Sequence, residues 1–306
     1  MDRLRNDGHP FIGTASAHLG LSHDRLRELV RRRALRRVLR GVYVDDRVPD
    51  TRAVRARALE LVKPERAVFY GNTATYLMGV ETHRPGDRFD LMPRCIVPHG
   101  TVRCCSPMVV CKEGYLSPSD VVTIEGIAVT SPVRSTVDLL RTMWRPYALS
   151  AADAMAHAGL VSADEVTRYL SALRGFPGIV QARELAGLIE PATESHGESW
   201  QRLRLVDAGF PRPTPQILVS DRAGNAVARL DMGYAEVLVA AEYDGAVDHT
   251  GQADREHDTA RRERLRDTYG WRILASRKAD ILGDDPAFEH QIGEWIGLQP
   301  VMPRRW

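Results

Sequence analysis

Asp231 and Glu242 each close an apolar run, the first after AVARL and the second after VLVAA. A carboxylate at the end of an apolar strand is costly unless it is solvated, paired or metal-bound. If the two strands are neighbours, the two acids meet at one place. Hard oxygen ligands of this kind select Mg²⁺ or Mn²⁺, and such an ion activates water and stabilises the charge that builds on a phosphodiester. Asp231 and Glu242 are therefore the candidate metal ligands. Glu198 upstream is a candidate third acid, Asp244 follows two residues after Glu242, and His249 beyond the Asp244-Gly245 turn is a candidate proton-transfer group. The competing reading is an acidic pair kept on a fold used only for binding.

These residues need a frame. Residues 194–208 (ESHGESWQRLRLVDA) have apolar positions at Trp200, Leu203 and Val206 and predict a helix ended by Gly209. Pro211, Pro213 and Pro215 then break the chain. Strand-like segments follow at 216–219, 226–234 and 237–243, the first two separated by the turn DRAGN. A charged helix over 255–269 and a strand over 271–276 complete the order α-β-β-β-α-β. Asp258 and Arg261, at i, i+3, are expected as an ion pair on that helix, and Trp271 as core.

A second concentration of chemistry lies near the start. Arg25, Arg27, Arg31, Arg32, Arg33, Arg36, Arg37 and Arg40 crowd one short stretch with a single acid, Glu28. Density of this kind suits phosphate neutralisation on double-stranded DNA, and its rival is a solvated basic helix face. Thr14 is placed to cap a helix running to about Leu19, with Gly20 as its stop. Ser22 is placed to cap a second, whose Leu26, Leu29 and Val30 recur at i, i+3, i+4. Val38, Val42 and Val44 around Arg40-Gly41 suit a β-wing, so residues 1–50 predict a winged helix-turn-helix.

The whole-chain balance conceals this. Lys and Arg total 42 against 40 Asp and Glu, a formal charge of +2, yet residues 1–50 hold 11 arginines against 7 acids. Residues 191–306 hold 15 basic side chains against 19 acids. The near-neutral sum is a cancellation between a basic head and an acidic tail. No stretch has the length of a membrane span, and the start MDRLRNDGHPF has no apolar core of a secretory signal, so a cytoplasmic protein is expected. Cys95, Cys104, Cys105 and Cys111 fall close together around His99, but not in a zinc spacing, and in short strands they act as small hydrophobes. Residues 51–146 read as a small α+β domain and 147–190 as a helical linker. Arg134 and Asp138, at i, i+4, are expected as a surface ion pair worth a few tenths of a kcal/mol.

The run TASAHLGLSHDRLRELVRRRALRRVLRGVYV, with FYGNTATYLMGV and IEGIAVTSPVRSTVDLL after it, resembles the AbiEi-family antitoxins of type IV toxin–antitoxin systems. That likeness implies promoter binding, autorepression of an operon and a nucleotidyltransferase-type toxin as partner. Glu198, the run LDMGY with Asp231, and the run AEYDG with Glu242 and Asp244, followed by His249, resemble the very-short-patch-repair (Vsr)-like branch of the PD-(D/E)XK endonucleases. Asp244 stands where that superfamily has a lysine. The expectation is a multidomain α+β protein, with residues 191–306 as a Mg²⁺-dependent endonuclease-like domain aimed at DNA by the winged helix. The alternative is a non-enzymatic antitoxin and autorepressor that keeps the nuclease fold as an interaction module.

Overall fold

A computed structural model describes residues 8–14, 21–84, 92–100, 107–245 and 252–306, with 252–258 described by backbone alone. The fold is mixed α+β, with three sheets and eleven helices among the described residues. The chain divides into two compact units, Met1–Arg141 with Arg168–Arg174, and Thr142–Thr167 with Gly175–Trp306.

The first unit opens with β1 (Phe11–Ile12), α1 (His23–Arg31), β2 (Leu35–Leu39) and β3 (Val42–Asp45), in the sheet order β1-β3-β2. Ser22 caps α1, its hydroxyl accepting from the Arg25 N–H at 3.2 Å. The helix stops at Arg33, which takes a left-handed φ of 55° where glycine is the usual choice. Leu26 packs with Phe11 and Leu35, joined by Leu29, Val30 and Tyr43. Gly41, at φ 76°, turns β2 into β3. The expected second helix and a β2–β3 hairpin at the place of the expected wing are therefore present, while the helix expected from Thr14 to Leu19 lies largely outside the described residues.

The same unit continues through α2 (Arg52–Glu60), β4 (Val68–Phe69), α3 (Asn72–Met78), β5 (Arg94–Val97), β6 (Val110–Glu113), β7 (Val121–Ile124), β8 (Ile127–Thr130) and α4 (Pro132–Thr142). Its five strands order as β6-β5-β4-β8-β7. Cys95 and Cys111 face each other in register on β5 and β6 as thiols. Cys104 and Cys105 lie outside the described residues.

Arg134 and Asp138 do not form the expected surface pair. Asp138 is 1% exposed and Asp120 4%, because α4 turns this face inward. Arg134 bonds Asp138 at 3.0 Å and Asp120 at 3.1 Å. Arg141 reaches Asp138 at 3.2 Å, and the Tyr169 hydroxyl donates to Asp120 at 2.7 Å. Burial pushes the Tyr169 hydroxyl up to about 12, so it stays a donor.

The second unit begins with α5 (Arg145–His157); α6 (Ala163–Ala172) follows, its last residues belonging to the first unit, and then α7 (Ile179–Ala186). Next come α8 (His196–Asp207), β9 (Thr214–Ser220), β10 (Ala226–Tyr234), β11 (Val239–Tyr243), α9 (Gln252–Tyr269) and β12 (Arg272–Ser276), then α10 (Lys278–Leu282) and α11 (Ala287–Ile296). Of the segment expected as a linker, α5 and α7 are packed parts of this unit. Asp153 of α5 and Arg202 of α8 pair at 2.5 Å with each side chain only 1% exposed. Ser199 and the Glu190 N–H also donate to Asp153, and Arg202 donates to the Leu188 carbonyl.

The sheet orders as β12-β11-β10-β9, antiparallel except for the parallel β11–β12 pair that α9 connects. The α-β-β-β-α-β order is as expected. The strand expected over 237–243 starts later, since residues 235–237 form a 3₁₀ turn and Leu238 is left-handed. Trp271 is core, at 5% exposure. No helix among the described residues is long and apolar enough to cross a membrane.

Candidate functional site

The basic head presents its arginines unequally. Arg25, Arg27, Arg33 and Arg40 are exposed. Arg31 and Arg32 are exposed but both pair with Glu28, Arg31 at 2.5 Å, holding its carboxyl below the usual range. Arg37 lies over the Tyr43 ring at 5.9 Å. Arg36 donates to the Val48 carbonyl at 2.9 Å, so its guanidinium closes the loop after the wing. Arg25, Arg33 and Arg40 are thus left exposed, and Arg27, also exposed, stands 3.9 Å from Asp24.

In the second unit, β10 and β11 run antiparallel with Met232 opposite Ala241, which makes Asp231 and Glu242 the next facing pair. The two acids do meet. The Tyr243 N–H donates to Asp231 Oδ2 at 2.8 Å. Burial, with the nearby charges of Glu198 and Glu242, pushes the Asp231 carboxyl up to about 6 against the opposing Tyr243 N–H. Glu198, 7% exposed, accepts from Gln216 Nε2 at 3.0 Å and from the Glu194 N–H at 3.1 Å.

Glu242 is 4% exposed, and both its oxygens are taken. Arg261 Nη2 lies 2.6 Å from Oε1 and Arg262 Nε 2.9 Å from Oε2. Arg262 also reaches Asp244 at 2.5 Å. Below the pair, Gln201 donates to the Glu242 carbonyl at 2.9 Å and to Ser276 at 2.7 Å, tying α8 to β11 and β12. Asp231 thus stands near Glu198 and Glu242, and Arg262 joins Glu242 to Asp244, while His249 lies outside the described residues.

This arrangement bears on the metal. Both oxygens of Glu242 are already held by guanidiniums, so a metal ion at this carboxylate would have to displace Arg261 or Arg262. Among the described residues, no three His, Cys, Asp or Glu side chains converge as ligands. As arranged, Glu242 keeps no unpaired oxygen for Mg²⁺ or Mn²⁺. The side chain of Asp258, expected to pair with Arg261, lies outside the described residues, and the sequence expectation passed over Arg262, Gln201 and Gln216. The available signal was the RRERLR run, whose excess of cations on α9 needs carboxylate partners elsewhere.

The elevated Asp231 value has a measurable consequence. The folded state holds this proton more tightly than an unfolded chain with the ordinary value of 3.8. The stability it contributes is present below about pH 4 and is lost as pH rises through about 6. Asp231→Asn is expected to abolish that loss and to raise stability near neutral pH by on the order of 2 kcal/mol. Melting temperatures of both proteins between acid and neutral pH check this; parallel pH profiles would refute it.

With this geometry in view, the likeness to known proteins can be placed. Residues 66–201 match the AbiEi antitoxin C-terminal domain. The matched segment runs from the five-stranded sheet into α8 and includes Glu198, while Asp231, Glu242 and Asp244 lie beyond it. The chain is also 32% identical over 151 residues to an uncharacterized protein of Mycobacterium tuberculosis, found in strain CDC 1551 / Oshkosh and in strain ATCC 25618 / H37Rv. That match covers 49% of this chain and 55% of each relative, so the chain spans about half the length of the curated relatives it matches.

Proposed function

We propose that this chain is a non-enzymatic, antitoxin-type regulator that binds double-stranded DNA through its winged head and counters a nucleotidyltransferase-type toxin. The match of residues 66–201 to the AbiEi antitoxin C-terminal domain carries the reading. The capped α1, the β2–β3 wing and the exposed Arg25, Arg27 and Arg40 support its DNA-binding half. The test is co-expression with a nucleotidyltransferase-type toxin encoded beside it, alongside a reporter driven by its own promoter. Growth rescue with repression of the reporter is expected. Toxicity and reporter output both unchanged would overturn the proposal.

A second reading, a metal-dependent endonuclease, draws on the meeting of Asp231, Glu242 and Glu198. The arginine clamp on Glu242 favours the first reading. Plasmid incubated with the purified chain and Mg²⁺ or Mn²⁺ is expected to stay intact. Nicking that disappears in both Asp231→Ala and Glu242→Ala would reverse the order of the two readings.

A further inference from the structure

A groove of about 360 Å³ lies beside β12, the edge strand of the four-stranded sheet. It is lined by Arg262, Glu263 and Arg266 of α9, by Trp271 and Arg272 at the start of β12, and by Trp295 of α11. Its size lies within the range of pockets that take small ligands.

The way α9 is used is the first argument. Thr259, Arg262, Glu263 and Arg266 recur at i, i+3, i+4, i+7, so one helix face turns toward the groove. That face is polar, whereas Leu265 is buried against Ala240 and Trp271. The cleft therefore joins guanidiniums to an apolar wall that includes Ile273 and Trp295, which suits a ligand with both an anionic and a flat apolar part.

Charge gives the second argument. Three arginines line the groove against one carboxylate, Glu263, in a segment of the chain that is acidic as a whole. Arg262 is committed at its inner end to Glu242 and Asp244, Arg266 to its neighbour Asp267 through Nε, and Arg272 to the Trp295 carbonyl at 2.7 Å. Each guanidinium has five N–H donors, so Arg266 and Arg272 keep donors for an anion. Asp267 screens Arg266 in part, which leaves Arg272 the strongest of the three for a ligand.

Chemistry beyond charge comes from the indoles. Trp295 is partly buried, and the Arg272 guanidinium stands 5.8 Å from its ring centroid. An arginine beside an indole offers a phosphate a bidentate donor and a base a stacking face. We infer that this groove binds a nucleoside phosphate, with phosphate on Arg266 and Arg272 and the base against Trp295. A free nucleotide and the end of a single strand share this chemistry.

The inference concerns a surface separate from the winged head and stands whether or not the head binds DNA. Intrinsic fluorescence isolates it, because the five tryptophans (Trp144, Trp200, Trp271, Trp295 and Trp306) all lie after residue 143. The full chain is titrated with AMP, with a ten-nucleotide oligothymidylate and with inorganic phosphate. Saturable quenching by AMP or by the oligonucleotide is expected, and the tighter of the two names the source. Arg266→Ala combined with Arg272→Ala is expected to weaken that binding ~10-fold or more with an unchanged melting temperature. If the double variant melts early, Arg266→Ala alone, at an exposed position, must still weaken binding severalfold. Equal affinity of wild-type and variants, quenching by neither nucleotide probe, or inorganic phosphate binding as tightly as AMP would overturn the assignment.

Discussion

Replacing Arg25, Arg27 and Arg40 together by alanine is expected to weaken binding to promoter DNA by roughly 100-fold at moderate salt. Each lost phosphate contact lowers the slope of log K against log salt by about 0.9, so the triple variant's slope falls by nearly 3. These three side chains are exposed around the capped helix and the tip of the wing. Arg31 and Arg32 share Glu28, and a phosphate must compete with that carboxylate for them, so their removal is expected to cost less. Arg36→Ala is the control, since its guanidinium serves the Val48 carbonyl. Filter binding across a salt series decides the matter: a triple variant with the parental slope would remove these arginines from the interface.

Asp153→Ala is expected to cost about 3–5 kcal/mol of stability. The substitution strands the Arg202 guanidinium, 1% exposed, between α5 and α8 with only the Leu188 carbonyl. Ser199 and the Glu190 N–H lose their acceptor as well. Burial by itself pushes the Asp153 carboxyl up and the Arg202 charge pulls it down, so each ion is tolerated only with the other. Replacing both, as Asp153→Leu with Arg202→Met, is expected to recover most of the loss. Urea denaturation followed by circular dichroism measures both variants. A single-variant loss under about 1 kcal/mol would mean that the pair is not holding the two helices together.

Much of the frame was legible in the residues. Ser22 before Leu26, Leu29 and Val30 marks where α1 begins and which face it buries, because capping and period are local properties. The α-β-β-β-α-β order followed from apolar runs bounded by Pro211, Gly224 and Gly270. The meeting of Asp231 and Glu242 was legible as a consequence of antiparallel neighbours. Partner choice was not. Arg261 pairs with Glu242 nineteen residues back, a partner on β11 that no spacing along α9 announces, while the side chain of Asp258 lies outside the described residues. Arg134 has the spacing of a surface pair, but α4 is turned so that Arg134 reaches Asp120 and Tyr169 as well as the buried Asp138. Spacing along the chain reports which side chains share a face, and only packing decides whether that face meets water.

The Asp153–Arg202 pair carries one more consequence. The family likeness ends at residue 201, and the counter-ion of Asp153 is residue 202. A segment cut at that border would keep a buried anion and discard the cation that neutralises it. The border of the likeness and the border of the folding unit therefore differ, and residue 202 belongs to what keeps residue 153 folded.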